Sequence, residues 1–510
     1  MDNQRNKRPF TPGSLTDRTL SSFLWTFGGI VGQATSQLIV VAILARLLVP
    51  SDFGAASAAL IVIGFLQIFG QLGIGPALIQ RPKLEDQHIS TGVGLSIVLG
   101  LLAGVLVFAF APLVADFFRL PDVKDLVRVM AIAFPLDAIS VVNRSLMQRE
   151  MRFRELAIVE TVSYAIGYGV VGIVLALLQF GVWALVLASI GQSGVRTLLL
   201  LILSRHRFSI GFNATAAKQL MHYGIGLSIS RIGNYFAIQG DNAVVGRWLG
   251  ATALGVYGRA YQLIVMPANL FGSVIDQVLF PAMASVQDDK TRLGRAFLRS
   301  VTTVAMVTLP VSAMLIVLAP ELIALILGPR WQDVVLPFQI LSFGMMFRTS
   351  YKMGDSLARA TGQIYKQAWR QWFYAALVIG GALIGQRWGS PGVAAGVVFA
   401  VGANFFMMLQ LSMKIVDLRW LELGLAHLRH LVIAILVGIV CYIAARTCRE
   451  FSFPAIATLL ASGAASGALL LLLLVLRPSI FGAEGAWAWS IAASKFRFLA
   501  RLQRRKGPSA

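Results

Sequence analysis

Cysteine is almost missing from this sequence: Cys441 and Cys448 are its only two. Seven residues apart on one helix, they would be separated by about 10 Å of rise. A disulfide needs Cα atoms within about 7 Å, so these two do not pair within the helix. Histidine is scarce as well. His88, His206, His222, His427 and His430 are the five present, none at metal-ligand spacing. No phosphate-binding loop and no nucleophile elbow occurs, so ATP is not the direct energy source and no hydrolase or transferase is recognisable. No catalytic residue, metal or cofactor is therefore expected. The deepest deficit is charge: 13% of residues are Asp, Glu, Lys or Arg, against about 25% in soluble domains. Acidic residues are the scarcer sign, 23 against 44 basic, which leaves a net charge of +21.

What fills the space is apolar sequence, 57% of the chain, with a mean hydropathy of +0.74. It is gathered into runs of about 20 residues, the length that crosses a bilayer as a helix. These runs lie near 21–46, 54–78, 89–115, 125–146, 156–178, 181–203, 219–240, 252–280, 301–319, 333–350, 371–386, 391–413, 429–447 and 453–476. The expected fold is all-α, a polytopic membrane protein of about fourteen transmembrane helices. The basic residues are dispersed among the spans and not gathered on a soluble face, which argues against nucleic acid. They favour one set of alternate loops by roughly three to one, which puts both termini in the cytoplasm. The basic N-terminus is not followed by a short apolar region with a cleavage site, so no removable signal peptide is expected. The tail Trp487–Lys506 mixes Trp, Phe and Leu with six Lys and Arg; it should lie on anionic inner-leaflet lipid.

One short pattern occurs twice. Arg46, Leu48 and Gly54 recur as Arg247, Leu249 and Gly255, at a constant offset of 201. Each copy closes an odd-numbered span and opens the next, as expected of two duplicated six-helix halves. The organisation read from this is a basic tail (1–20), an N-terminal lobe (21–210), a C-terminal lobe (211–425), an added helix pair (426–476) and a basic amphipathic tail (477–510).

Charges inside spans are expensive, about 2.5–3.5 kcal/mol each at a helix centre, and mark function or pairing. The stretch 223–284 holds Arg231, Asp241, Arg247, Arg259 and Asp276. Arg231, Asn234, Tyr235, Ile238 and Asn242 fall on one helical face, with Asp241 beside it; Arg259, Gln262, Met266, Asn269, Ser273 and Gln277 form a second stripe. These stripes are the candidate lining of a transport cavity, with Arg231, Arg259, Asn234, Tyr235, Gln262 and Gln277 as cargo contacts. Arginine is the residue to expect for a phosphate-bearing cargo, since its planar fork stays charged and bonds phosphate bidentately. The alternative is that each Arg is neutralised by an acid on another helix. Arg247 is expected in the connecting loop. Asp137 and Glu160, within spans four and five, either carry a coupling ion, as Asp241 and Asp276 could, or pair with an intramembrane Arg. Gln67 and Gln71 read as helix-packing residues. The run Arg144–Glu155 reads as a solvated loop, Arg196 as snorkelling to the membrane edge, and Arg348 as part of a basic face between spans ten and eleven.

Several motifs in combination resemble a known family. Asp241-Asn242-Ala243-Val244-Val245-Gly246, Leu249-Gly250, Leu254-Gly255-Val256-Tyr257, Pro267 and Phe280-Pro281-Ala282 are similar to the polysaccharide flippases of the multidrug/oligosaccharidyl-lipid/polysaccharide exporter superfamily. So are Met147-Gln148-Arg149-Glu150-Met151-Arg152-Phe153 and Gly181-Val182-Trp183-Ala184-Leu185. The resemblance covers about residues 15–430 and is strongest to the Wzx-like, colanic-acid-exporter type. It implies two lobes around a central cavity, alternating access driven by an ion gradient, and an undecaprenyl-diphosphate-linked oligosaccharide as cargo for exopolysaccharide or lipopolysaccharide synthesis at the inner membrane. Cationic cavity residues would hold the cargo, with Arg231 and Arg259 the matching positions. A polysaccharide polymerase and a chain-length regulator are the candidate protein partners. Two other readings stand beside it: a drug or metabolite antiporter of the same superfamily, which would favour carboxylates in its cavity, and a membrane polymerase or ligase, which would expose a large outer loop.

Overall fold

The computed structural model describes residues 32–204, 209–284, 286–287, 289–416, 418–476 and 478–481, with side chains except at 222–227, 229–230, 269–282, 284, 364 and 478–479. The first twenty residues and the tail from Trp487 lie outside these. Among the described residues every regular element is helical. In chain order they are α1 (Gly32–Leu47), α2 (Pro50–Gln71), α3 (Ile74–Gln80), α4 (Asp86–Phe118), α5 (Val123–Met130), α6 (Ala133–Arg149) and α7 (Phe153–Tyr164). A π-helical segment, Ala165–Gly172, leads to α8 (Ile173–Leu177), then α9 (Val182–Leu203) and α10 (Ala214–Ala284). There follow α11 (Lys290–Val317), α12 (Ala319–Ile326), α13 (Val335–Phe343), α14 (Met345–Ala360), α15 (Ile364–Gly385), α16 (Gly389–Val416), α17 (Trp420–Glu450) and α18 (Ala455–Leu476). Helix, whole or broken, lies on each of the apolar runs read from the sequence. Eight helical stretches among the described residues are long and apolar enough to cross a membrane, the longest being Tyr365–Val416.

Why these helices suit lipid is visible in α4. Between Ser96 and Ala115 its buried positions are Ser96, Gly100, Ala103, Gly104, Val107, Ala111 and Ala115, while Val98, Leu101, Leu102, Val105 and Phe108 point outward and are exposed. Small residues inside and large apolar residues outside invert the pattern of a soluble helix. They let backbones approach closely where hydrocarbon, not water, bathes the outer face.

Two compact units result. Among the described residues, one comprises those up to Val49 together with Ala59–Ile232; the other comprises Pro50–Ala58 and those from Gly233 on. In the first, α6 is the central element, packed on α3, α4 and α9. Its core joins Ile74 and Leu78 of α3, Ile89 and Val93 of α4, Val142 and Leu146 of α6, and Leu220 of α10. In the second, Phe297, Val301 and Val304 of α11, Met353 and Leu357 of α14, and Phe405 and Leu409 of α16 form the main cluster.

The repeated pattern meets itself inside the second unit. Gly54 abuts the carbonyl oxygen of Ala251, and Gly255 abuts that of Pro50, so closely that a Cβ on either glycine would overlap the oxygen. At the 201-residue offset, Pro50 corresponds to Ala251 and Gly54 to Gly255. The contact is therefore reciprocal, as in an isologous pairing of two copies of one motif. Only glycine permits such an approach of backbone to backbone.

Charged segments that read as loops are largely helical. α10 runs without interruption up to Gly250, whose φ of 85° and ψ of −177° make the one non-helical break in it. Arg247 is thus on a helix, not in a connecting loop. Likewise the charged stretch before span nine is the first turns of α11, capped by Asp289, which accepts from the backbone N–H groups of Thr291 (3.1 Å) and Arg292 (3.0 Å). A run of hydropathy ends where charge begins. The backbone ladder of a helix does not.

Candidate functional site

Within the first unit, α2 stops at Gln71 and α3 starts at Ile74, across Leu72 (φ 34°) and Gly73 (φ 64°). Non-helical backbone at membrane depth is tolerated where protein or a water-filled cavity satisfies it, and a polar cavity of about 290 Å³ lies here. α2 and α3 contribute Gln67, Gln71 and Gly75 to its wall. α6 contributes Asp137, Ser140, Arg144 and Gln148, at i, i+3, i+7 and i+11 on one face. Arg196 comes from α9 and Arg231 from α10.

The charges are wired together. Arg196 Nη2 donates to Asp137 Oδ1 at 2.6 Å, and its Nη1 stands 3.9 Å from Glu160 Oε2 on α7. Glu160 Oε1 also receives Arg144 Nη2 at 3.1 Å. The second oxygen of Asp137 accepts from Gln67 Nε2 at 2.9 Å. Arg196 is further steadied by Ser193, and the neighbouring Thr197 hydroxyl bonds the Leu136 carbonyl at 2.8 Å, locking α9 to α6. Three guanidinium groups thus share a site with two carboxylates, leaving one positive charge in excess. Arg231, half-buried at the wall, has no hydrogen bond or ion pair among the described residues. Such a site suits an anion rich in hydrogen-bond acceptors, because a guanidinium fork bonds carboxylate and phosphate oxygens alike.

Several sequence readings are corrected by this geometry. Arg196 does not snorkel: its side chain is 19% exposed and bonded to Asp137, since an acid on the adjacent helix is nearer than the membrane edge. Gln67 and Gln71 line the cavity as well as packing helices. The Arg144–Glu155 run is not a freely solvated loop. Arg144 enters the cavity. Arg149 binds the carbonyl oxygens of Leu78 (2.9 Å), Ile79 (3.0 Å) and Arg81 (2.5 Å), satisfying the end of α3, and Arg152 pairs with Glu155 at 3.3 Å.

Of the two stripes, Arg231 lines this cavity, whereas Arg259 lies in the second unit. There its guanidinium sits 4.6 Å from the Phe53 ring centroid, and Phe53 meets the fully buried Trp331 edge-on at 5.3 Å. Asn234 is exposed and accepts from Gln371 Nε2 at 3.2 Å. Tyr235 and Gln262 are half-buried in the same unit. The side chains of Asp276 and Gln277 lie outside the described residues.

The second unit holds a cluster that sequence reading misplaced. Asp241, 1% exposed, accepts from the Tyr257 hydroxyl at 2.6 Å and from the Asn242 N–H at 2.8 Å. One turn on, Tyr261 accepts from Arg348 Nη1 at 2.8 Å and lies under that guanidinium at 4.6 Å. Arg348 is on α14, folded inward, and not on a basic loop face. The signal available in the sequence was the spacing Tyr257–Tyr261 opposite a lone Arg in an otherwise uncharged turn, Met345–Tyr351. Among the described residues no group of three or more His, Cys, Asp or Glu could hold a metal ion.

Known proteins place this arrangement in context. The family model described as "Polysaccharide biosynthesis protein" matches residues 43–336. The lipopolysaccharide biosynthesis protein WzxC of Escherichia coli is 27% identical over 383 residues, 73% of this chain and 77% of its own length. The succinoglycan biosynthesis transport protein ExoT of Rhizobium meliloti is 30% identical over 309 residues, 60% of this chain and 62% of its own. Among solved structures, lipid II flippase MurJ in an inward closed conformation matches with a TM-score of 0.72 at 14% identity, over 89% of this chain and 98% of that one. At that identity the likeness speaks to the fold alone, that of a polytopic helical membrane protein. The family match spans more than half of the sequence, and the chain belongs to the polysaccharide biosynthesis protein family.

Proposed function

We propose that this protein is a flippase. It moves an undecaprenyl-diphosphate-linked oligosaccharide from the cytoplasmic to the periplasmic face of a bacterial inner membrane, for exopolysaccharide or lipopolysaccharide synthesis. One observation carries the reading: a polar cavity between apolar helices holds Arg144, Arg196 and Arg231 against only Asp137 and Glu160. Its surplus cation, Arg231, meets a phosphate; Arg196 and Arg144, already oriented by their carboxylates, form the second line of donors. Gln67, Gln71, Ser140 and Gln148 supply neutral hydrogen-bonding groups for the sugar next to the diphosphate. Arg259, stacked on Phe53, is assigned to packing.

In this reading the chain crosses the membrane fourteen times, with duplicated lobes at 21–210 and 211–425, an added pair at 426–476, and both termini cytoplasmic. The lobes alternate access to the two faces, and the basic tail rests on anionic inner-leaflet lipid. A polymerase and a chain-length regulator take over the cargo outside. The protein transports and does not catalyse. Of the acids the sequence offered for ion coupling, Asp137 and Glu160 are paired with arginine, Asp276 remains a candidate from sequence, and Asp241 is taken up below. An antiporter of cationic drugs fits less well, because each cavity carboxylate is engaged by arginine.

The test is complementation of a flippase-null strain. Wild-type protein should restore polymer at the surface, Arg231→Ala should not despite normal membrane insertion, and Arg231→Lys should restore part of it. Normal export by Arg231→Ala would remove Arg231 from the cargo site.

A further inference from the structure

The second unit contains a buried acid, Asp241, and a half-buried arginine, Arg348, that the cargo reading leaves unused. Both oxygens of Asp241 act as acceptors, Oδ2 from the Tyr257 hydroxyl at 2.6 Å and Oδ1 from the Asn242 N–H at 2.8 Å. Hydrogen bonds donated to its oxygens favour the ionised form. A carboxylate sealed among helices requires a positive partner. An exchangeable cation is one solution, but the protein supplies another. Arg348 reaches in from α14, bonds the Tyr261 hydroxyl at 2.8 Å and stacks on its ring. Tyr257, which bonds Asp241, and Tyr261, which bonds Arg348, are one turn apart on α10, their ring centroids 6.2 Å apart. Tyr351 and Tyr374, at 6.1 Å from one another, stand within electrostatic range of the same guanidinium.

We propose that Arg348 is a tethered counter-ion: the second unit carries, covalently attached, the positive charge that Asp241 needs, so Asp241 neither binds nor exchanges an alkali cation. The tyrosines serve as positioning residues, transmitting the pairing through their hydroxyls and, at Tyr261, through the ring face. Tethering has a consequence for transport. Asp241 drops out of the set of acids through which an ion gradient acts, and any coupling is confined to other carboxylates. This inference does not depend on what the cargo is.

The test uses purified full-length protein and thermal unfolding, with sodium chloride or potassium chloride titrated against choline chloride at constant ionic strength. The wild type should show no saturable stabilisation by either alkali cation. Arg348→Met should unfold several degrees lower, and the double variant Asp241→Asn, Arg348→Met should recover much of that loss, since removing both members of a buried pair is far less damaging than removing one. Should Arg348→Met fail to fold, recovery of monodisperse protein in the double variant reads the same compensation. Saturable stabilisation of the wild type by sodium or potassium overturns the proposal. So does a double variant as unstable as the sum of its parts, the result of a merely structural role for Arg348.

Discussion

The polar cavity of the first unit and the tyrosine-bridged cluster of the second are built from the same materials. Each sets arginine and acidic side chains inside apolar helices, yet they differ in balance and in room. In the cluster one carboxylate accepts from Tyr257 and one guanidinium donates to Tyr261. The cavity sets three guanidinium groups against two carboxylates around about 290 Å³ of space. A closed, balanced pair fixes structure. An open, unbalanced group can receive a ligand of the opposite sign. An arginine inside the membrane therefore does not announce its role; its partner count does.

That contrast can be broken most forcefully at Arg196. Replacing it with Leu strips Asp137 of its 2.6 Å partner and loosens Glu160, so a loss of about 3–5 kcal/mol is expected, read by thermal unfolding and expression level. If the carboxylates are the cause, adding Asp137→Asn should return part of the loss. A smaller effect, about 1–3 kcal/mol, is expected for Gly255→Val, which drives a side chain into the Pro50 carbonyl. Gly54→Val should match it closely, because the two glycines occupy equivalent places in one reciprocal contact. The smallest effect on folding belongs to Arg231→Ala. With no partner among the described residues to abandon, it should change stability by no more than about 0.5 kcal/mol while abolishing transport. A variant that unfolds without Arg231 would place it with the structural arginines after all.

Much of the fold was legible. The apolar run 89–115 predicts α4, and the offset between Arg46–Gly54 and Arg247–Gly255 anticipates two motifs that turn out to touch. Arg231 was legible too, because it interrupts a long apolar run. Arg196 and Arg348 were not. Both sit where an apolar run fades, and charge counting alone assigns such residues to the surface. Their inward turn depends on Asp137 and Tyr261, partners 59 and 87 residues away in sequence. Pairing across that distance is set by tertiary packing and leaves no local trace. The same holds for Arg259, whose resting place against Phe53 joins the first copy of the repeated motif to a residue just beyond the second.

The most direct measurement of the cavity's role is equilibrium binding of geranylgeranyl diphosphate to the purified protein, with geranylgeraniol as the uncharged control. The wild type should bind the diphosphate saturably and the alcohol hardly at all. Arg231→Ala should bind the diphosphate at least about tenfold more weakly, the scale of one lost charge-assisted contact, at an unchanged unfolding temperature. Equal affinity of the two proteins for the diphosphate would contradict the account.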